Sequence, residues 1–481
     1  MKESSTFYSS LGLLIVLNII IKPLWIFGID RQVQNSAGME AYGTYFSLFG
    51  FSVVFSFLLD WGMTAFFNRQ LAAQKESFIN QYGKFLFIKL LFAVLYIIVV
   101  CIAAWLSGIK RWNIISAVIA VQVLTSFFLF FRSIITANQW FGTDAWLSVL
   151  DKLLMILLCG SLLYFPSEFG SISIGKFLVI QIICSSLALL CALAILLRQG
   201  INFSVNPQWQ FSRQLFKSAL PFAVIILLMS LHYRLDGFLL ERLHPNGAYE
   251  AGVYASAYRL LDAANMIGYL VASFLLPLLA RLWSEGKNIS EPVLRSRHLL
   301  VVFSLAIAIL VFFMAPWIQK MLYHNSNTQA IEILQWCLPA LIGYSLVQVY
   351  GTLLTATGHI TGFCYITTIS VAINIITNLL LIPAMGAKGC CIAALVSQHF
   401  CGIVSMWYAS EKSGITVDFR SLLIYFFIAI LLVGFFYFTR DLSLNKWLLI
   451  AGAVLITFSA ALAAKLFTFH SWIRLLKEYK H

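Results

Sequence analysis

The sequence predicts an all-α protein that crosses a membrane about fourteen times, in spans of about 20 apolar residues each. Of its 481 residues, 61% are hydrophobic and 11% are charged, whereas a soluble globular protein is about 45–50% apolar and about 25% charged. The apolar runs are continuous rather than alternating. This favours helices over a β-barrel, because each helix satisfies its own backbone groups within lipid. The composition therefore excludes a water-soluble enzyme and predicts a polytopic membrane protein.

The predicted spans follow one another with short hydrophilic connectors. The first continues through Lys22 and Pro23 to Ile29 without a small-residue cleavage site, so we expect an uncleaved helix rather than a signal peptide. Pro23 removes a backbone donor and should bend this helix. In chain order, the predicted spans cover residues 9–29, 42–66, 84–106, 113–138, 147–165, 176–197, 217–240, 252–280, 299–319, 331–356, 360–383, 387–408, 421–439 and 446–467.

The spacing of the spans indicates two halves. A hydrophilic connector at residues 198–216 separates the first six spans from the rest. The second span opens with EAYGTYFS (Glu40–Ser47) and the eighth with EAGVYASA (Glu250–Ala257), so a G-x-Y motif has the same place in each half. This weak repeat predicts two bundles related by duplication. We therefore divide the chain into a six-helix bundle (1–200), a cytoplasmic linker (201–216), a second six-helix bundle (217–408), and two additional helices with a basic cytoplasmic tail (409–481).

The net charge of +13 follows the connectors rather than forming one basic patch. If the N-terminus is cytoplasmic, the inner connectors carry twice as many Lys and Arg residues as the outer ones, which is the bias of the positive-inside rule. We therefore assign the excess charge to the flanks of membrane helices and not to nucleic-acid binding. Both termini are predicted to be cytoplasmic.

Seven of the charged residues within the spans are candidates for a functional site, because one charge at mid-bilayer costs about 2.5–3.5 kcal/mol on insertion scales. Such groups usually face water, a ligand or an opposite charge. Lys22 and Arg132 have no acidic neighbour on their own predicted helices, which makes them the strongest candidates for binding an anionic ligand. The other five are Asp60, Arg234, Asp236, Arg259 and Asp262.

Helical spacing decides which of these charges can pair locally. Arg259 and Asp262 are three residues apart and can meet on one helix face, whereas Arg234 and Asp236 point to nearly opposite sides. Lys89 lies near the inner surface, and we expect it to extend its ammonium group to that surface. The interior keeps a net positive charge. A cationic cavity attracts phosphate, and the planar fork of arginine can donate two parallel hydrogen bonds to it.

Motifs for cofactor chemistry are absent from the sequence. No spacing of cysteine and histidine residues indicates a metal site. Gly170–Lys176 has the outline of a phosphate-binding loop, but Phe177 replaces the Ser or Thr that would bind magnesium. The sequence therefore predicts no cofactor and no enzymatic activity.

Five segments together resemble one known family. In order, they are LLDWGM (Leu58–Met63), FFRSIITANQ (130–139), YRLDGFLLE (Tyr233–Glu241), GVYASAYRLLDA (Gly252–Ala263) and NLLLIPAMGAKGCCIAALVSQ (Asn378–Gln398). They resemble the bacterial oligosaccharide-lipid flippases, or polysaccharide exporters, whose superfamily also holds multidrug/toxin exporters and lipid II flippases. The resemblance covers most of residues 9–408; the last two spans depart from a twelve-helix pattern.

This resemblance implies two bundles around a central cavity, which moves a polyprenyl-diphosphate-linked oligosaccharide to the outer leaflet by alternating access. It implies a multi-pass protein of a bacterial inner membrane that acts in lipopolysaccharide or other polysaccharide biosynthesis. Its partners would be membrane lipids, glycosyltransferases and a polysaccharide polymerase, and the protein is expected to be a monomer. The substrate-binding candidates are Lys22, Arg132, Arg234 and Arg259. The candidates for ion coupling are Asp60, Asp236 and Asp262.

Four alternatives remain at this point. A lipid II flippase would bind the same diphosphate and polyprenyl tail. A multidrug exporter would favour an acidic cavity for organic cations, whereas the charges within these spans lean basic. A membrane glycosyltransferase or polymerase usually has large outer loops, and the connectors here are short. A scaffold without transport would not need cations within its spans.

Overall fold

The computed structural model describes residues 2–62, 82–165, 172–201, 203, 209–324, 326–415, 418–440, 442, 444–464 and 466. Within these ranges the chain forms helices and connectors without a strand, which confirms the all-α fold class. Thirteen helical segments are long and apolar enough to cross a membrane. The end of the predicted second span, part of the predicted linker and the end of the basic tail lie outside the described residues.

The helices follow the predicted spans closely. The first half contains α1 (Lys2–Leu24), α2 (Arg31–Ala37), α3 (Met39–Val54), α4 (Phe57–Asp60), α5 (Tyr82–Leu106), α6 (Trp112–Ala137), α7 (Phe141–Tyr164), α8 (Ile174–Arg198) and α9 (Trp209–Leu243). It is followed by α10 (Gly247–Ser284), α11 (Ser290–Leu322), α12 (Thr328–Cys337), α13 (Ala340–Ala356), α14 (Ile360–Met385), α15 (Ala387–Ser413), α16 (Phe419–Thr439) and α17 (Lys446–Ala463).

The first span contains an irregular turn directly after Pro23. Residues Trp25–Asp30 form a π-helical segment between α1 and α2. Proline removes one helical hydrogen bond, and a π-helical turn is a common way to accommodate such a disturbance. The irregularity therefore lies at the place where the sequence predicts a bend.

The second predicted span is not one continuous helix. Helix α3 ends at Val54, and the N–H groups of Phe55 and Ser56 donate to carbonyls three residues earlier, at 3.2 and 2.9 Å. Such tighter hydrogen bonds end an α-helix. The short helix α4 follows and is closed by Trp61, which has a left-handed backbone with φ of +46°. This break places Asp60 at the end of a separate short helix.

The chain divides into two compact units, Met1–Arg242 and Leu243–His481. The helix of the seventh predicted span therefore groups with the first unit, while the predicted bundles 1–200 and 217–408 remain a prediction. In the first unit, α6 packs against α8 and α1 packs against α7. An aromatic and aliphatic core around Phe130 and Ile134 fills the space among α5, α6 and α8.

The second unit is built around α13, α14 and α15. A Cβ atom at Gly343 would lie 2.6 Å from the backbone of Gln398, so glycine allows α13 and α15 to approach this closely. The two additional C-terminal helices pack on α11. Phe313 stacks on Phe436 at 5.2 Å, and Trp317 meets Trp447 edge-on at 5.4 Å. These two helices are thus part of the second unit.

Candidate functional site

A polar cavity of about 470 Å³ opens within the first unit. Four of its lining residues carry charge: Asp60, Lys89, Arg132 and Asp144. The amide of Gln122 and five hydroxyl side chains also line it, namely Ser56, Thr125, Ser126, Ser133 and Thr136. Apolar helices rarely enclose so many polar groups unless water or a ligand enters the space. This cavity is therefore the candidate functional site.

Arg132 is held by a carboxylate from the next helix. Its Nε donates to Oδ1 of Asp144 at 2.8 Å, and its Nη2 donates to Oδ2 at 3.1 Å. The two residues are close because α6 and α7 are joined by a three-residue turn in which Gln139 has a φ of +64°. The expectation that Arg132 lacks an acidic neighbour holds for its own helix. The structure adds a partner across the turn.

Lys22 lies beside this pair. Helices α1 and α7 run alongside each other, as shown by the hydrogen bond from Asn18 Nδ2 to Ser148 Oγ at 2.8 Å. Lys22 is within electrostatic range of Arg132, Lys152 and Asp151. It makes no hydrogen bond or ion pair with any residue that the structure describes. Lys22 and Arg132 are therefore near each other in the first unit, although Lys22 does not line the cavity, and their role in binding an anion stays a prediction.

The neighbouring charges on α7 satisfy each other. Lys152 Nζ lies 3.0 Å from Asp151 Oδ2 and 4.6 Å from the centre of the Trp25 ring. Together with the Arg132–Asp144 pair, they form a group of three cations and two carboxylates that includes Lys22. The group has a net charge of +1, and Lys22 carries the charge without a carboxylate contact.

Lys89 does not extend to the membrane surface as expected. Its side chain is 1% exposed, and its Nζ donates to Asp60 Oδ1 at 3.1 Å. The break between α3 and α4 points Asp60 towards α5, where the carboxylate compensates this buried charge. The Asp60 side chain remains 25% exposed in the cavity. Asp60, a candidate for ion coupling, is therefore one half of an ion pair.

The remaining candidates lie outside the polar cavity. Arg234 and Asp236 are on α9, which contacts α3 closely: a Cβ atom at Gly50 would lie 2.6 Å from the Arg234 carbonyl oxygen. Asp236 is buried, and both residues have partners. Arg259 and Asp262 belong to α10 in the second unit, where Arg259 is buried and both again have partners.

Asp144 is the site residue that sequence reasoning missed. The predicted span began at residue 147, so Asp144 was treated as part of a connector, whereas α7 begins at Phe141. A usable signal was present: an acidic residue follows Arg132 across the turn sequence Asn138-Gln139. Among the described residues, no group of three or more His, Cys, Asp or Glu side chains could hold a metal ion.

Comparison with known proteins places the chain among membrane transporters. Residues 10–283 match the family model described as "Polysaccharide biosynthesis protein", and residues 221–380 match the MatE model. No curated protein sequence matches the chain. The first of these matches covers more than half of the chain.

Several solved structures share the fold. A lipid II flippase, MurJ, in an inward closed conformation has a TM-score of 0.71 and 13% identity, covering 96% of this chain and 99% of its own. An inward-facing multidrug resistance MATE transporter has a TM-score of 0.65 and 15% identity, covering 84% of this chain and 98% of its own.

A third structure is a MOP superfamily transporter from Pyrococcus furiosus, which is described as having a binding pocket of reverse polarity. It has a TM-score of 0.58 and 14% identity, covering 85% of this chain and 94% of its own. At these low identities, the structural matches show the shared fold, and the match to the family model shows which family the chain belongs to. The chain belongs to the polysaccharide biosynthesis protein family, within the superfamily of multidrug, oligosaccharidyl-lipid and polysaccharide flippases and exporters.

Proposed function

We propose that this protein moves a polyprenyl-diphosphate-linked oligosaccharide from the cytoplasmic to the outer leaflet of a bacterial inner membrane. The observation that carries the proposal is the Arg132 fork, which lines a polar cavity between apolar helices and has a second cation, Lys22, in its electrostatic range. The family to which the chain belongs acts in polysaccharide biosynthesis.

The main free-energy cost of such transport comes from moving the polar head group, and not the apolar tail, through the membrane. Each polar group that loses its water in hydrocarbon without a new hydrogen bond costs several kcal/mol. A polar cavity supplies hydrogen bonds from hydroxyls and amides to the sugars, while fixed cations attract the diphosphate. One cation and one phosphate charge at 4 Å attract each other by about 4 kcal/mol at an effective dielectric of 20, before desolvation is subtracted.

The roles of the other candidates follow from this proposal. Arg234 and Arg259 would contact the substrate at other points of its path during alternating access. Asp60, Asp236 and Asp262 would couple transport to an ion gradient, since the proposal includes no cofactor and no enzymatic step. Glycosyltransferases and a polymerase would supply and consume the lipid-linked sugar, and the transporter would act as a monomer among membrane lipids.

The test is transport of a fluorescent polyprenyl-diphosphate oligosaccharide in liposomes that contain the purified protein. A membrane-impermeant quencher measures the fraction of substrate in the outer leaflet. Lys22→Ala and Arg132→Ala should each lower the initial rate about tenfold or more, because the loss of 1.4 kcal/mol of binding is already tenfold. Lys110→Ala, at an exposed connector residue, is the matched control and should transport like the wild type. Normal transport by both Lys22→Ala and Arg132→Ala would refute the cationic site.

A lipid II flippase is the second candidate. It is favoured by the TM-score of 0.71 with the lipid II flippase structure over 96% of this chain. The same liposomes loaded with fluorescent lipid II separate the two proposals. We expect transport of the oligosaccharide lipid to be faster; preferential transport of lipid II would reverse the assignment.

A further inference from the structure

We infer that Asp144 occupies the position on Arg132 that a substrate phosphate takes, so that the carboxylate is a built-in counterion which the substrate displaces. This inference rests on the proposed function and adds a residue that determines how substrate is bound and released. It explains why the strongest candidate for anion binding is already paired in the structure.

The geometry of the pair is that of a bound oxyanion. Two parallel hydrogen bonds of 2.8 and 3.1 Å connect the guanidinium to both carboxylate oxygens. A phosphate oxygen pair accepts the same two N–H groups in the same plane. The centre of the Phe128 ring lies 5.8 Å from the guanidinium carbon, within the range of a cation–π interaction. The fork is thus held in a position where one oxyanion can replace another.

The pair is also accessible from the cavity. Arg132 and Asp144 both line it, and their side chains are 19% and 9% exposed. Arg132 Nη1 makes no hydrogen bond with any residue that the structure describes, which leaves a donor for a larger anion. Lys22 stands close enough to interact with the charge of the same anion. A diphosphate would therefore gain contacts that a single carboxylate cannot make.

Displacement of Asp144 does not leave its carboxylate without support. Asp144 lies in the first turn of α7, and the partial positive charge of a helix N-terminus stabilises an acidic group there. In the empty state, the ion pair prevents Arg132 from remaining as an uncompensated charge in a low-dielectric space. The return of Asp144 to the fork would then assist substrate release.

The competing interpretation is that the pair only fastens the α6–α7 turn. Inorganic pyrophosphate, used without metal ions, separates the two ideas in calorimetric titrations of the full-length protein in nanodiscs. Asp144→Asn should bind pyrophosphate about tenfold more tightly than the wild type, because the competitor has lost its charge. A purely structural pair predicts equal or weaker binding.

Two controls isolate the fork. Glu40→Gln removes the same charge from an exposed position on α3, outside the charge group of Lys22 and Arg132, and it should change the affinity by less than about threefold, a small long-range effect. Arg132→Lys keeps the charge but loses the bidentate geometry. In that background, Asp144→Asn should no longer increase the affinity. Equal gains from Asp144→Asn and Glu40→Gln would overturn the inference, since they would indicate a general charge effect.

A measurement on the wild type does not depend on any variant folding. Pyrophosphate should increase the labelling of Asp144 by a water-soluble carbodiimide and an amine, as detected by mass spectrometry, because the carboxylate leaves the fork. Unchanged or reduced labelling at saturating pyrophosphate would overturn the inference. Failure of the proposed function gives a different pattern: Lys22→Ala and Arg132→Ala would then transport the lipid normally.

Discussion

The Asp60–Lys89 pair joins a carboxylate that reaches the cavity to an ammonium group that is almost completely buried. Their side chains are 25% and 1% exposed. A buried charge that loses its partner destabilises a protein by about 3–5 kcal/mol, whereas a hydrated charge that loses its partner does so much less. The two partners should therefore respond differently to substitution.

We expect Asp60→Ala to lower the free energy of unfolding by about 3–5 kcal/mol, because Lys89 remains charged and buried. Lys89→Met keeps the aliphatic stem and removes the charge, so it should lower that energy by about 1 kcal/mol at most. The double variant should resemble Lys89→Met. Denaturant unfolding in detergent micelles measures all three, and equal losses in the two single variants would contradict this account.

The sequence identified individual charges better than their partners. Lys22 and Arg132 were recognised because charge is costly within an apolar run, and the structure places them together. Asp144 and the role of Lys89 were not recognised, because partners from other helices depend on where turns and breaks fall. The turn at residues 138–140 brings Arg132 and Asp144 together, and the break after Val54 brings Asp60 to Lys89.

At the scale of elements, polar contacts fix the additional helix α16 to the second unit. The His298 ring nitrogen Nδ1 and the Tyr425 hydroxyl are 2.6 Å apart, and that hydroxyl is within electrostatic range of Arg297. Arg297 is 1% exposed and also donates to the Tyr350 hydroxyl at 3.4 Å. Helices α11, α13 and α16 thus meet at one buried cation.

We predict that Tyr425→Phe lowers the free energy of unfolding of the protein by about 1–3 kcal/mol, because the half-buried His298 ring loses its hydrogen bond to the hydroxyl. Tyr437→Phe on the same helix is the control. Its ring is 65% exposed at the apolar surface, so no loss is expected. Thermal unfolding in nanodiscs gives the comparison, and equal melting temperatures for the two variants would show that α16 is not fixed by this cluster.

A second prediction concerns the glutamates of the internal repeat. Glu250 is buried and accepts hydrogen bonds from Ala387 N at 2.9 Å and Gln329 Nε2 at 2.7 Å, whereas its repeat partner Glu40 is exposed. Glu250 therefore caps the first turn of α15. Glu250→Ala should lower the free energy of unfolding by about 1–3 kcal/mol, and Glu40→Ala should leave it nearly unchanged. Similar losses of unfolding free energy in the two variants would mean that Glu40 stabilises the fold as Glu250 does.

The elements themselves were largely predictable, because a helix in lipid must satisfy its own backbone. The predicted spans differ from the helices by a few residues at most ends. The second span is interrupted after Val54, and the tenth is divided into α12 and α13. The hydrogen bonds that end α3 at Val54 involve ordinary residues without Pro or Gly. Hydropathy reports the apolar length of a segment and is insensitive to such a local change in hydrogen bonding.

For the whole molecule, orientation decides which leaflet the polar cavity serves. The predicted cytoplasmic termini place the α6–α7 turn, with Arg132 and Asp144, towards the cytoplasm, where a lipid-linked sugar would enter. This orientation follows from Lys and Arg residues in the connectors, which remain preferentially on the cytoplasmic side during insertion. In the opposite membrane orientation, the same site would face the outer side, where the product is released.

Cysteine substitutions, made one at a time at two exposed connector lysines, test this orientation in intact cells. Lys110 precedes α6 and Lys287 precedes α11. A membrane-impermeant maleimide should label Lys110→Cys in intact cells and Lys287→Cys only after permeabilisation. The exposed native Cys191 is replaced by Ser in both proteins, so that labelling reports the introduced thiols. The opposite pattern would place the termini outside, because each helix between the two positions reverses the direction of the chain. The Arg132–Asp144 pair would then face the outer leaflet, and the direction proposed for transport would have to be reversed with it.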